Sequence, residues 1–182
     1  MNSTTPSTYT FTADELETIQ KHVAKYPQRQ SAVMPVLWIA QEKFGWLSPE
    51  AMQLVADTLQ LPYAHVYGVA TFYSQYLKEN RAKHLLEICT CYTCGECGGS
   101  QLMNYIKEKL RCDEKGVSED KLVWVREAEC LGACDSAPVA QVNNRRTVFN
   151  LTPEKIDNLL ADLKKNKLPE FESIALKDQS QL

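Results

Sequence analysis

The sequence predicts an α+β protein, a small helical bundle followed by a mixed domain, and three observations carry that expectation. Before residue 80 the apolar residues recur at helical spacing behind good capping residues. Beyond Lys83 short runs rich in β-branched residues alternate with two helical stretches. Six of the seven cysteines fall in two short segments of that second half, each directly after a predicted strand.

The helices follow from caps and faces. Thr12 with Glu15 forms a capping box, Leu16, Ile19 and Val23 share one face, and Pro27 ends the helix. Ser31 is the expected N-cap of a second helix that tolerates Pro35 in its first turn and carries Val33, Val36, Leu37, Ala40 and Phe44. Ser48-Pro49 opens a third, with Ala51, Leu54, Val55, Thr58 and Leu59 in register. Pro62 starts a short fourth running toward Gly68. Such a set packs as a small bundle over residues 11–82.

The second half reads strand from His84 to Cys89, helix from Ser100 to Leu110 and strand from Leu122 to Arg126. A hairpin follows, Val139–Val142 and Thr147–Leu151, joined through Asn143, Asn144, Arg145 and Arg146. Thr152-Pro153 then opens a last helix whose face is Ile156, Leu159, Leu160 and Leu163. That order, βαβββα, by itself says only α+β. The polar ends, Met1–Thr10 and residues 168–182, are expected to be mobile or laid on a partner.

Composition narrows the function classes. At 182 residues and 44% hydrophobic the chain can bury a real core, and a net charge of −3 with both signs mixed leaves no footprint for nucleic acid. No apolar run reaches the ~20 residues of a membrane span, and Met1–Thr10 resembles neither a secretory nor a transit peptide. An odd number of cysteines crowded into two loops is no disulfide framework, so cytoplasmic chemistry is expected.

The chemistry lies in Cys89-x4-Cys94 and Cys130-x3-Cys134. A [2Fe-2S] cluster has two tetrahedral irons that each take two thiolates, which two separated cysteine loops can supply from two sides. Structural zinc also takes four thiolates but favours tight C-x2-C knuckles, so these spacings argue against it without excluding it. Cys91, Cys94 and Cys97 overlap the first pair as a C-x2-C-x2-C run, the opening of a [4Fe-4S] motif, but Gly98-Gly99-Ser100 replaces its continuation. Read instead as a dithiol redox pair, that run leaves Cys130 and Cys134 without a role.

Around the cysteines, Glu129-Cys130-Leu131-Gly132-Ala133-Cys134-Asp135-Ser136-Ala137-Pro138, Cys89-Thr90, Cys94 and the upstream Gly68-Val69-Ala70-Thr71-Phe72-Tyr73 resemble the thioredoxin-like [2Fe-2S] subunit of NADH:quinone oxidoreductase, respiratory complex I, from about Thr12 to Lys165. The resemblance implies a thioredoxin-like domain over residues 83–167, with one cluster loop after each of its first two strands. It implies Cys89, Cys94, Cys130 and Cys134 as iron ligands, with Cys91 and Cys97 outside the ligand pattern. It further implies an NADH-oxidising flavoprotein partner holding FMN and a [4Fe-4S] cluster, other peripheral-arm subunits, and a place at the inner face of the cell membrane through the complex. Related subunits of NAD-linked hydrogenases and formate dehydrogenases share the layout, so the resemblance fixes the module better than the complex.

The remaining residues fit a carrier. Gly95, Gly98, Gly99 and Gly132 let backbone approach a negatively charged centre, and the helix near Ser100 turns its N-terminal N–H groups toward the first loop. His22, His65 and His84 lack metal-ligand spacing, and Cys112 stands alone. Phe72, Tyr73 and Tyr76 suit either a core or a partner surface. With no catalytic triad, phosphate loop, flavin or nicotinamide fingerprint, hydride chemistry is expected on another chain.

Overall fold

The computed structural model describes residues 9–170, so the expectations for residues 1–8 and 171–182 lie outside the described part. The chain divides at Asn80/Arg81 into two compact units.

The first unit holds four helices, α1 (Ala13–Val23), α2 (Val33–Phe44), α3 (Pro49–Leu59) and α4 (Tyr63–Phe72). The Thr12/Glu15 capping box forms in both directions, and Ser48 Oγ accepts from Ala51 N–H at 3.1 Å with Pro49 as the first helical residue. Ile19, Val36, Leu37, Ala40, Val55, Leu59, Val66 and Ala70 make one buried core. Tyr76 joins it, its hydroxyl donating to Met34 C=O at 2.9 Å. Buried Gln41 satisfies the chain after α4, donating to Gln75 C=O and accepting from Leu77 N–H.

Three details differ from the sequence expectation, and a fourth decides what the sequence left open. Ser31 is not a cap: it lies in a 3-10 turn, Arg29–Ala32, that runs straight into α2. Leu16 stays 40% exposed, so α1 seats through Ile19 with Val23 half-buried. Helix α4 passes through Gly68 to Phe72, because burial of Val66 and Ala70 on either side outweighs the ~1 kcal/mol a mid-helix glycine costs. Of the aromatic trio only Tyr76 is core, whereas Phe72 is 79% exposed.

The second unit contains β1 (His84–Cys89), α5 (Tyr92–Glu96), α6 (Gly99–Lys109), β2 (Val123–Ala128), β3 (Ala140–Val142), β4 (Arg146–Val148) and α7 (Pro153–Lys164). The sheet order is β2-β1-β3-β4, with β1 and β2 parallel and the other pairs antiparallel. Strand β1 is buried along its whole length, as a central strand must be. Leu86 and Ile88 share one core with Leu102 and Ile106 of α6 and with Ile156, Leu159, Leu160 and Leu163 of α7.

The observed elements shift from the expected bounds where side chains allow backbone to turn. Asn143 and Asn144 take left-handed φ of 51° and 56° and turn the chain so tightly that β4 begins at Arg146, one residue earlier than expected, while the far ends of the hairpin are shorter, β3 starting at Ala140 and β4 ending at Val148. Strand β2 runs on to Ala128 because its backbone continues to pair with β1 as far as Cys89. Helix α5, a single turn within the first cysteine segment, was not expected at all.

Candidate metal centre

Both cysteine loops leave the same end of the parallel pair, since Cys89 stands opposite Ala128 in the register. Cys89 ends β1, and its N–H donates to Val139 C=O at 3.0 Å, which ties it to the neighbouring strand segment on the other side. Cys91 caps α5, Cys94 lies within it, and Cys97 closes it. Gly99 begins α6 against the first loop: a Cβ there would stand 2.6 Å from Cys89 O and 2.8 Å from Cys94 O. Only a glycine lets α6 bring its N-terminal turn so close to both residues.

The second loop is held by its own turn. Gly132, at a left-handed φ of 77°, donates its N–H to Cys130 Sγ at 3.4 Å. Cys134 opens a 3-10 turn, Cys134–Ser136, and its Sγ lies 3.4 Å from that of Cys130. Asn150 N–H donates to Ser136 C=O and Leu151 N–H to Pro138 C=O, so the loop is tied to the segment that follows β4.

The four expected ligands therefore form two pairs with different surroundings. Cys89 and Cys94 are buried at 1% and 2% exposure, in a small apolar cluster with Ala133, Val139 and Phe149. Cys130 and Cys134 are exposed. Burial, and the Cys89 thiol beside it, push the Cys94 thiol up to about 11. The Gly132 N–H, with Cys134, holds the Cys130 thiol below its ordinary value, while Cys134 is raised because Cys130 takes the shared hydrogen bond and the charge.

These pairs fit a two-iron cluster. Two thiolates on one tetrahedral metal at ~2.3 Å stand about 3.8 Å apart, close to the 3.4 Å between Cys130 and Cys134. Cys94 likewise has the Cys89 thiol as its side-chain hydrogen-bond neighbour, so the donors stand as two pairs. A thiolate also needs hydrogen bonds to its charge, and Gly132 N–H already supplies one.

The two extra thiols differ. Cys97 is exposed, whereas Cys91 is half-buried against the Cys89/Cys94 cluster, and its thiol lies on the Cys130 side, where it helps lower that thiol. Sequence reasoning missed α5 as a ligand carrier, the apolar wall of Val139 and Phe149, and a side-chain bond from Thr90 Oγ1 to Glu127 Oε1 between the loop bases. The C-x2-C spacing within α5 was a readable hint of a helical turn. The cross-strand bond had no sequence signal. Cys112 lies apart, packed against the main core of the unit, and His84 is buried at the far end of β1 from Cys89.

Two thiol-bearing loops at the end of a parallel strand pair, in a four-stranded mixed sheet with helices, define a thioredoxin-like iron-sulfur protein. The chain belongs to the thioredoxin-like [2Fe-2S] ferredoxin family, which it matches over residues 19–164. Its curated relatives are more particular. It is 35% identical to the E-type subunit of NADH-quinone oxidoreductase from Rickettsia bellii over 86% of this chain and 95% of that protein. It is 36% identical to NADH-quinone oxidoreductase subunit 2 of Thermus thermophilus over 86% and 88%. Among solved structures, an NAD+-reducing [NiFe]-hydrogenase in the air-oxidized state superposes with a TM-score of 0.60 at 20% identity. That match covers 72% of this chain and 23% of that one, and the likeness is one of fold. No helix of the described residues is long and apolar enough to cross a membrane.

Proposed function

We propose that this chain is the electron-carrying subunit of an NADH-quinone oxidoreductase, with Cys89 and Cys94 holding one iron of a [2Fe-2S] cluster and Cys130 and Cys134 the other. The observation that carries the reading is the convergence of these four thiols, as two pairs, from loops at one end of β1 and β2. A bound [2Fe-2S] cluster supplies one-electron redox chemistry. The four cysteines would hold it, Ala133, Val139 and Phe149 would keep water from the Cys89/Cys94 pair, and Gly132 N–H and the N-terminal turn of α6 would offset its charge.

The partner in this reading is an NADH-oxidising flavoprotein subunit that holds FMN and a [4Fe-4S] cluster, in contact with further peripheral-arm subunits. The relatives' names support membership of such a complex. Helix α4 supports a docking role for the first unit, because it carries no charged residue yet buries only Val66 and Ala70 and leaves Tyr67 and Phe72 exposed. An apolar helix face of that kind is ordinarily covered.

The test is compositional and spectroscopic. Iron and acid-labile sulfide should each approach two per chain, with a spin-half EPR signal on reduction. Alanine at Cys89, Cys94, Cys130 or Cys134 should lose or degrade that signal, while Cys91→Ala and Cys97→Ala should keep it. Zinc alone, four irons per chain, or survival of the signal in Cys89→Ala with loss in Cys91→Ala would overturn the assignment. For the partner, the isolated chain should oxidise no NADH, and removing residues 1–80 should abolish copurification with the flavoprotein while the cluster remains. A stoichiometric complex with the truncated chain would remove the docking role from the bundle.

A further inference from the structure

We propose that Thr90 and Glu127 form a clamp between the bases of the two ligand loops, a positioning pair that sets the spacing of the thiol pairs and the charge beside them. It rests on the ligand assignment above.

Thr90 directly follows Cys89, and Glu127 precedes Cys130 by three residues. The backbone pairing of β1 and β2 ends here, with Thr90 N–H donating to Ala128 C=O at 3.2 Å. One further bond continues it in side chains, the Thr90 hydroxyl donating to Glu127 Oε1. Past this point the loops diverge, one into α5 and the other toward Gly132. The clamp is thus the hydrogen bond that ties the loops at their bases, where it fixes how far apart they start.

The bond has two separable consequences. It engages the Thr90 hydroxyl, which stands between Cys89 and Cys91 in the chain, with a carboxylate. An unclamped hydroxyl can turn to a thiolate and donate a charge-assisted hydrogen bond to it. The bond also holds one carboxylate charge near the base of both loops. A negative charge there opposes the gain of an electron by any centre the thiols hold.

Three variants of the full chain test this, read by iron and sulfide content, EPR g values and the midpoint potential of the purified protein. Glu127→Gln keeps the acceptor and removes the charge, so cluster content and g values should stay and the equilibrium should shift toward the reduced form by about threefold or more, roughly 30 mV upward at 59 mV per tenfold. Thr90→Val keeps the shape and removes the donor, so cluster content should fall or the g values change. Thr90→Ser restores the donor and should restore both. An unchanged potential in Glu127→Gln, or a Thr90→Ser protein no better than Thr90→Val, overturns the clamp. If Thr90→Val fails to fold, the Glu127→Gln potential and Thr90→Ser still decide. A wild-type protein with no [2Fe-2S] cluster would instead overturn the ligand assignment, whereas a loaded wild type with variants indistinguishable from it would sink the clamp alone.

Discussion

Replacing Gly99 by alanine should damage the metal centre although it adds a single carbon. The new Cβ would lie 2.6 Å from Cys89 O and 2.8 Å from Cys94 O, and 3.2 Å from the Cys94 carbonyl carbon. All three are backbone atoms and cannot swing aside as a side-chain end would. Ordinary contact begins near 3.4 Å, so α6 and the first loop must part by about 0.8 Å. Overpacking of that kind typically costs about 1–3 kcal/mol. A unit of this size loses roughly 4–8 °C in melting temperature per kcal/mol. The cluster suffers further, because metal–ligand distances tolerate only about ±0.2 Å. The expected outcome is a folded, less stable protein with well under two irons per chain, measured by iron and sulfide analysis beside a thermal melt. Gly98→Asn is the comparison: it meets no atom within 4 Å but carries the strain of a φ of 94°, so any loss there measures backbone strain without the collision. A Gly99→Ala protein with full iron content and an unchanged melt would refute the close approach.

Gly68→Ala should act with the opposite sign, since Gly68 lies inside α4 with no heavy atom within 4 Å of an added Cβ; the first unit should gain about 0.5–1 kcal/mol, and a lower melting temperature would contradict this. In cluster-free protein, iodoacetamide should label Cys130 well before Cys94, because the Gly132 N–H lowers the one thiol while burial raises the other to about 11. Early labelling of Cys94, read by peptide mass spectrometry, would reverse that order. Burial, with Lys83 beside it, lowers the His84 pKa from its ordinary 6.5. The unfolded chain then takes up a proton that the folded chain resists, so stability should be full above pH 6.5 and fall as the pH drops below it. Denaturant melts should show a shallower fall in His84→Gln; an identical slope would remove His84 from the account.

What the sequence made legible follows the range of each interaction. Caps at Thr12, Ser48 and Thr152 are decided within four residues, and all three hold their helices as expected. The α7 face was readable because Ile156, Leu159, Leu160 and Leu163 keep one period over about two turns. Helix α5 was not, since five residues are too few to show a period. The α4 extension was hidden because Gly68 looks like a stop signal, and only tertiary burial of Val66 and Ala70 carries the helix past it. The cysteine pairs were legible through spacing, and the glycines as a group through their number. That Gly99, among Gly95, Gly98 and Gly99, is the one wedged against both carbonyls depends on how α6 packs. The Thr90–Glu127 bond joins residues thirty-seven apart and exists only once the β1–β2 register is set.

The placement of Cys89 at the end of β1 has a consequence for speed. Each one-electron exchange deforms its surroundings, and the energy of that deformation is a barrier the protein can lower only by holding still. Strand β1 is flanked by β2 and β3, is buried at all six positions, and anchors Cys89 by an N–H bond to Val139 C=O. A ligand so held keeps its geometry whichever charge the centre carries. The exposed pair, Cys130 and Cys134, sits on a loop made of short turns and has more room to yield. On the proposed ligand assignment, the buried, strand-held Cys89 would give the centre a stiff side and the exposed Cys130/Cys134 loop a more compliant one, which would take most of the small adjustment to an added electron, next to solvent.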